Sequence, residues 1–305
     1  MVTISAPSVN KKCKKDMSDE IVTSPAASRT VSAFLEDETD DNRHIVDVLI
    51  EERCPKLRAS WSWPLVRPAL YQMLGYGKAR RMADEIVQLN GRESFDRLSG
   101  QLAFDLSVDA IERMPTTGRL IVAANHPTGL ADGVAVWDLL KQVRDDIVFF
   151  ANADAVRVNP KFEDVIIPVE WVAAKRTPAK TRETLKRAAG RLARRVDGVL
   201  EEKDWFSAVV GLARKQKAPI LPLNVDARNS ALYYLFCDLN DELRDITLFN
   251  ELLNKRGSKF NMTFGNLIPP DHLQGDPTAL TNRLKQHVAY ALLADRDAVF
   301  TPHPA

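Results

Sequence analysis

From Arg43 onward, apolar residues recur along the chain at two spacings, and the switch between them marks out the elements. "HIVDVLIEERCPKL", starting at His44, carries its apolar residues at helical spacing and opens the folded part. From Leu102 the two spacings alternate. "LAFDLSVDAIERM" has period two, "GRLIVAAN" reads as a buried strand, "GVAVWDLLKQV" as a helix, "DIVFFAN" as a strand and "DVIIPVEWV" as another extended piece. "TPAKTRETLKRAAGRLARRV" is a basic helical run and "FSAVVGLARKQ" a further helix. "APILPLNV" is a strand, "SALYYLFCDLNDELRDITLFNELLNKRG" is mostly helical, "KFNMTFGNLI" is a strand and "DPTALTNRLKQHVAYALLAD" a closing helix. Strands and helices in alternation predict an α/β domain over residues 101–305, with a mostly parallel central sheet flanked by helices. Residues 43–100 are expected to be a helical region in front of it. Residues 1–42, with "SDE", "SPAAS" and "EDETDD" and few large apolar side chains, are expected to be a disordered tail.

One stretch of the helical region departs from a plain amphipathic pattern. "ASWSWPLVRPALYQMLGYGKARRMADEI" interleaves Trp61, Trp63, Tyr71 and Tyr76 with Arg67, Lys78, Arg80 and Arg81. Aromatic rings beside cations suit a membrane interface, where rings lie at headgroup level and cations meet phosphate. A core helix pair punctuated by Pro64 and Pro68 has the same pattern, and both readings stand.

Composition narrows the picture by exclusion. The 305 residues carry 42 basic and 41 acidic side chains for a net charge of +1, so no global charge draws the chain to nucleic acid. Cys13, Cys54 and Cys237 are odd in number and far apart, which argues against a disulfide framework or a zinc cluster and for a reducing compartment. No apolar run approaches the roughly 20 residues that cross a bilayer, and no apolar core follows the basic "KKCKK" as a secretory signal requires. His44, His272, His287 and His303 lack acidic or cysteine partners at ligand spacing, so no metal is expected. The absence of a glycine-rich phosphate loop argues against kinases and dehydrogenases.

"IVAANHPTGLADG", residues 121–133, concentrates the candidate chemistry. In open α/β sheets, ligands bind beyond the carboxyl ends of strands. His126 falls at such an end, Pro127 and Gly129 shape the turn, and Asp132 lies near the start of the next helix. A carboxylate beside an imidazole fixes its tautomer and stabilises its protonated form, so the pair can serve as a general base with a substrate hydroxyl as the nucleophile. The plainer reading is a histidine that caps the helix and an aspartate paired with a nearby base.

"NHPTGLADG" resembles the histidine and aspartate motif of the glycerolipid acyltransferase superfamily, the lysophosphatidic acid and glycerol-phosphate acyltransferases. Five residues, Pro127 to Ala131, separate His126 from Asp132 where the usual spacing has four. This longer spacing and the Asn-His-Pro opening are similar to the haemolysin-like branch, which includes ornithine-lipid acyltransferases. "APILPLNVDARNSALYYLF" resembles the late motif of that branch, and "IIPVEWV" occupies the place of its second block. The resemblance implies attack of an acceptor hydroxyl on the thioester of acyl-carrier protein or acyl-CoA, with His126 as base and Asp132 orienting it. It implies substrate-binding roles for Asn125, Gly190, Arg191, Pro222 and Arg228, a lysophospholipid or lyso-ornithine lipid acceptor, and no cofactor. It also implies a peripheral seat on the cytoplasmic face of a bacterial inner membrane.

The resemblance fails at the third block of the family, a hydrophobic strand ending in Phe-Pro-x-Gly. Here "KTRETLKRAA" runs directly into "GRLARRVDGV". Gly190 and Arg191 match only the end of the block, with Arg194 and Arg195 as further candidates for an anionic headgroup. Loss of an interior strand would strand backbone donors and acceptors on its neighbours, and the residues nearby hold no replacement. Two rival functions follow: a catalytically inactive lipid-binding protein of the same fold, and an acyl-thioester hydrolase in which His126 activates water.

Overall fold

The computed structural model describes residues 2–5, 43–169 and 208–302. Its centre is a seven-stranded sheet built from β1 (Val2–Ser5), β2 (Asp105–Asp109), β3 (Leu120–Ala124), β4 (Val148–Asn152), β5 (Ile166–Val169), β6 (Ile220–Asp226) and β7 (Lys259–Phe264). The strand order is β2-β7-β6-β3-β1-β4-β5. The pairs β2 with β7, β3 with β6, and β4 with β5 are parallel, and β3, β4, β5 and β6 share one direction. β6 and β7 are antiparallel to each other. The mostly parallel α/β sheet expected from the alternation of elements is therefore present, with β1, inserted between β3 and β4, and the edge pair β2 and β7 running in the opposite sense.

β1 corrects one expectation. Val2–Ser5 lie within the expected tail, yet they pair antiparallel with β3, Val2 opposite Ala123 and Ser5 opposite Leu120, and with β4 on their other side. The segment of the third block itself lies outside the described residues. Composition averaged over residues 1–42 hides the four-residue run Val-Thr-Ile-Ser, whose β-branched members favour extended backbone.

Strand side chains alternate between faces. Val122, Ala124, Phe149, Leu221 and Leu223 join one core, with Phe95 and Trp137 from α5 (Gly91–Leu102) and α6 (Leu130–Leu140). Ile121, Ala123, Val148, Phe150 and Ile220 face the opposite core, closed by α8 (Ala208–Gln216) and α12 (Pro277–Gln286). Both faces of β3 are covered, which is why "LIVAA" is apolar throughout rather than alternating.

The helical region ahead of the sheet comprises α1 (Ile45–Glu52), α2 (Pro55–Ala59), α3 (Trp63–Met73) and α4 (Tyr76–Ile86). It packs a third cluster in which Val46, Leu49, Trp63, Tyr71 and Leu74 meet Ile246 and Phe249. The two readings of the aromatic stretch therefore divide the residues between them. Trp63 and Tyr71 are core, while Trp61 is 86% exposed, Leu65 74% and Val66 50%. No helix among the described residues is long and apolar enough to cross a membrane.

Candidate active site

The site is built at the carboxyl end of β3. Strand pairing holds Ala124 beside Leu223, and the chain then leaves the sheet through Asn125, His126, Pro127, Thr128 and Gly129 before α6 begins. Gly129 has φ +72° and ψ −127°, a conformation open to glycine and strained for other residues. No atom lies within 4 Å of where its Cβ would stand, so torsion and not space demands glycine there.

Asp132 occupies the first turn of α6, where the amino end of the helix favours a carboxylate. Its side chain is wholly buried. Oδ2 accepts from the Thr128 backbone N–H at 2.8 Å, and Oδ1 accepts from the Thr128 hydroxyl at 2.5 Å. His126 Nδ1 stands 3.1 Å from Oδ2, with the imidazole 24% exposed. The contact is close without being a straight hydrogen bond, a common state of catalytic pairs before substrate binds. Thr128 thus holds the carboxylate, and the carboxylate holds the ring. The five-residue spacing works because the turn at Gly129 returns the first helical turn to the histidine.

The other expected site residues fall into three groups. Asn125 lies beside His126, but both ends of its amide are taken by β6: Nδ2 donates to Val225 O at 2.8 Å, and Oδ1 accepts from Val225 N at 2.6 Å. It clamps the ends of two parallel strands together. Pro222 is inside β6, opposite Ala123 and with its carbonyl accepting from Gly265 N at 2.8 Å, so it sits in the sheet and not at its rim. Arg228 is exposed just beyond β6, on an open groove of about 330 Å³ lined by Asp226, Lys255, Lys259 and Asn261 among others. Gly190 and Arg191, with Arg194 and Arg195, lie outside the described residues.

Three residues at the rim were not singled out as site candidates, Asn229 within the late motif and Glu251 and Lys255 outside any motif. Asn229 Nδ2 donates to Pro127 O at 2.9 Å, tying the turn after β6 to the histidine loop. Glu251, in α11 (Leu248–Leu253), is 3% exposed and accepts from Ser230 N at 2.7 Å and Ser230 Oγ at 2.5 Å. Lys255, itself buried, donates to Glu251 at 2.9 Å. Burial alone would raise the Glu251 carboxyl. The Ser230 hydroxyl and amide and the Lys255 ammonium outweigh that and hold it below its ordinary value. A glutamate and a lysine four apart usually mark a solvated face, so nothing in the sequence distinguished this pair. Of the other histidines, His44 caps α1 and meets Asp84 at 3.0 Å, and His287 is buried at the start of a π-helical turn.

The family model described as Acyltransferase matches residues 105–210, a span that runs from β2 through the histidine loop. Among curated proteins, a lyso-glycine lipid O-acyltransferase of Bacteroides thetaiotaomicron is 22% identical over 248 residues, 76% of this chain and 91% of the relative. A protein of the same name from Phocaeicola vulgatus is 23% identical over 180 residues, 54% of this chain and 64% of the relative. Among solved structures, the 1-acyl-sn-glycerophosphate (LPA) acyltransferase PlsC of Thermotoga maritima is 14% identical with a TM-score of 0.41, covering 90% of this chain and 98% of that one.

Proposed function

We propose that the chain is a member of the glycerolipid acyltransferase superfamily and that it moves a fatty acyl group from a thioester, acyl-carrier protein or acyl-CoA, to the hydroxyl of a lysolipid, with His126 as the general base. The observation that carries this reading is the buried Asp132 at 3.1 Å from Nδ1 of the partly exposed His126, at the mouth of β3. An ionised carboxylate on that side favours the proton on Nδ1 and leaves Nε2 as the basic nitrogen. Nε2 takes the proton of the lysolipid hydroxyl as its oxygen attacks the thioester carbonyl. The tetrahedral intermediate then collapses, the carbon-sulfur bond breaks, and the imidazolium returns its proton to the departing thiolate. Asp132 stabilises the transient imidazolium.

The acceptor is a lysophospholipid or a lyso-amino-acid lipid, a class that includes the lyso-glycine lipid named for the relatives. Arg228 and Lys259 flank the groove at the same rim of the sheet and offer cationic groups to an anionic headgroup or to the phosphate of the donor. The exposed Trp61, Leu65 and Val66 on the α2–α3 side supply a face for the lipid surface, consistent with peripheral attachment on the cytoplasmic side.

Radiolabelled acyl transfer to a panel of lysolipids tests the reading, with native chain and His126→Ala compared at matched folding. Labelled diacyl product from the native chain alone is the expected result. Free fatty acid without acylated lipid would replace the transferase by a hydrolase. An unconsumed donor in the presence of bound vesicles would leave a lipid-binding protein.

A further inference from the structure

The turn that follows β6, residues 227–230, has no regular secondary structure of its own, yet it is tied at two points. At one end, Asn229 Nδ2 holds the carbonyl of Pro127, the residue next to His126. At the other, Ser230 is gripped through both its N–H and its hydroxyl by Glu251. The Ser230 oxygen also accepts from Tyr233 N at 3.2 Å as the cap of α9 (Ala231–Leu239), so its own proton is committed to the carboxylate. Asn254 Nδ2 at 3.0 Å and Lys255 Nζ at 2.9 Å complete four donors around Glu251. Ser230 alone would cap the helix. Burying a carboxylate and an ammonium to hold that cap carries a desolvation cost that the start of an exposed helix does not require. What the pair adds is a fixed position for the turn, and through Asn229 for the histidine loop.

We infer that Glu251 is a positioning residue of the active site, which sets the place of His126 through Ser230, Asn229 and the Pro127 carbonyl. The inference rests on the reading of His126 as the base, because only then does displacing its loop change turnover. A glutamine at 251 has one acceptor oxygen where four donors converge, and turns an amide donor toward them. Loss of Asn229 cuts the link while leaving the Glu251–Lys255 pair whole.

The test uses the full chain labelled with 15N-histidine, as wild type, Asn229→Ala, Glu251→Gln and Glu251→Asp, with His126→Ala to assign the imidazole. The expected result is that the His126 ring resonances and their titration move in Asn229→Ala and Glu251→Gln, while those of His44 and His272 do not. Turnover should fall by about 100-fold, the scale of a misplacement near 1 Å, with little change in KM, and Glu251→Asp should recover part of it. Unmoved His126 resonances in a folded Asn229→Ala chain would overturn the inference whatever the activity. If the native chain transfers no acyl group but the resonances still move, the acyltransferase reading fails and the positioning role stands.

Discussion

Two turns lie side by side at the rim of the sheet, one after β3 and one after β6, and they are stabilised in opposite ways. The first is held largely by contacts along its own stretch of chain: Thr128 donates twice to Asp132 four residues on, and Asp132 meets His126 six residues back. The second borrows its support, because Ser230 depends on Glu251, twenty-one positions later, and Asn229 reaches back across about a hundred residues to Pro127. A contact made within one turn of chain closes a short loop at small entropic cost, whereas a remote one must be delivered by the whole fold. The His126–Asp132 pair is therefore a local device, and its alignment with the neighbouring turn is a global one.

The largest effect separating the two turns is expected at the base itself. His126→Ala should reduce kcat/KM for acyl transfer by about 10²–10⁴, the usual worth of general-base catalysis, with the melting temperature nearly unchanged. Survival of activity in that variant would remove the imidazole from the mechanism. Lys255→Met should act on stability instead, costing about 3–5 kcal/mol by leaving Glu251 buried without its cation, read from denaturant midpoints.

The comparison sharpens with pH. The folded Glu251 carboxyl lies below its ordinary 4.5, so the stability it contributes is complete above about pH 4.5 and is lost as the pH falls through the folded value. The stability gap between wild type and Glu251→Gln should therefore narrow progressively on acidification below that point. A gap that stays constant would show that the carboxylate is not held by charge.

Gly129→Ala addresses the first turn alone. With φ at +72° and open space around the added methyl, the expected cost is torsional, about 1–3 kcal/mol, accompanied by slower turnover as Asp132 shifts relative to the ring. The smallest stability effect belongs to Trp61→Ser and Leu65→Ser, within about 0.5 kcal/mol, since both side chains already face solvent. Each should nevertheless weaken binding to vesicles by about tenfold, measured by co-sedimentation. Equal vesicle binding by both variants would move the lipid face elsewhere.

Much of this was legible beforehand, and the reason is locality. Among the described residues, the period-two and helical runs from Leu102 onward became strands and helices in the order expected, because a side chain's face is set by its neighbours two to four residues away; the basic run over 177–196 lies outside them. "NHPTGLADG" announced the His126–Asp132 pair because the two residues and Thr128, which holds the carboxylate, lie within one short stretch of chain. The partner of the Asn125 amide was not legible, because Val225 is a residue that only the pairing of β3 with β6 brings alongside. The surroundings of Pro222 were hidden for the same reason: its neighbour Gly265 arrives with β7. Trp61 and Trp63, two residues apart and alike in sequence, separated into solvent and core only once α3 had packed.

By itself the sequence determined the α/β alternation, the end of β3 as the place for chemistry, and the histidine with its aspartate, all carried by interactions of short range. The tertiary structure alone decided that Val2–Ser5 enters the sheet between β3 and β4, that Asn125 serves the backbone, and that a buried Glu251 braces the neighbouring turn. Those outcomes depend on which distant segments share a strand edge or a core, and backbone pairing and burial choose among such segments only when the chain is assembled as a whole.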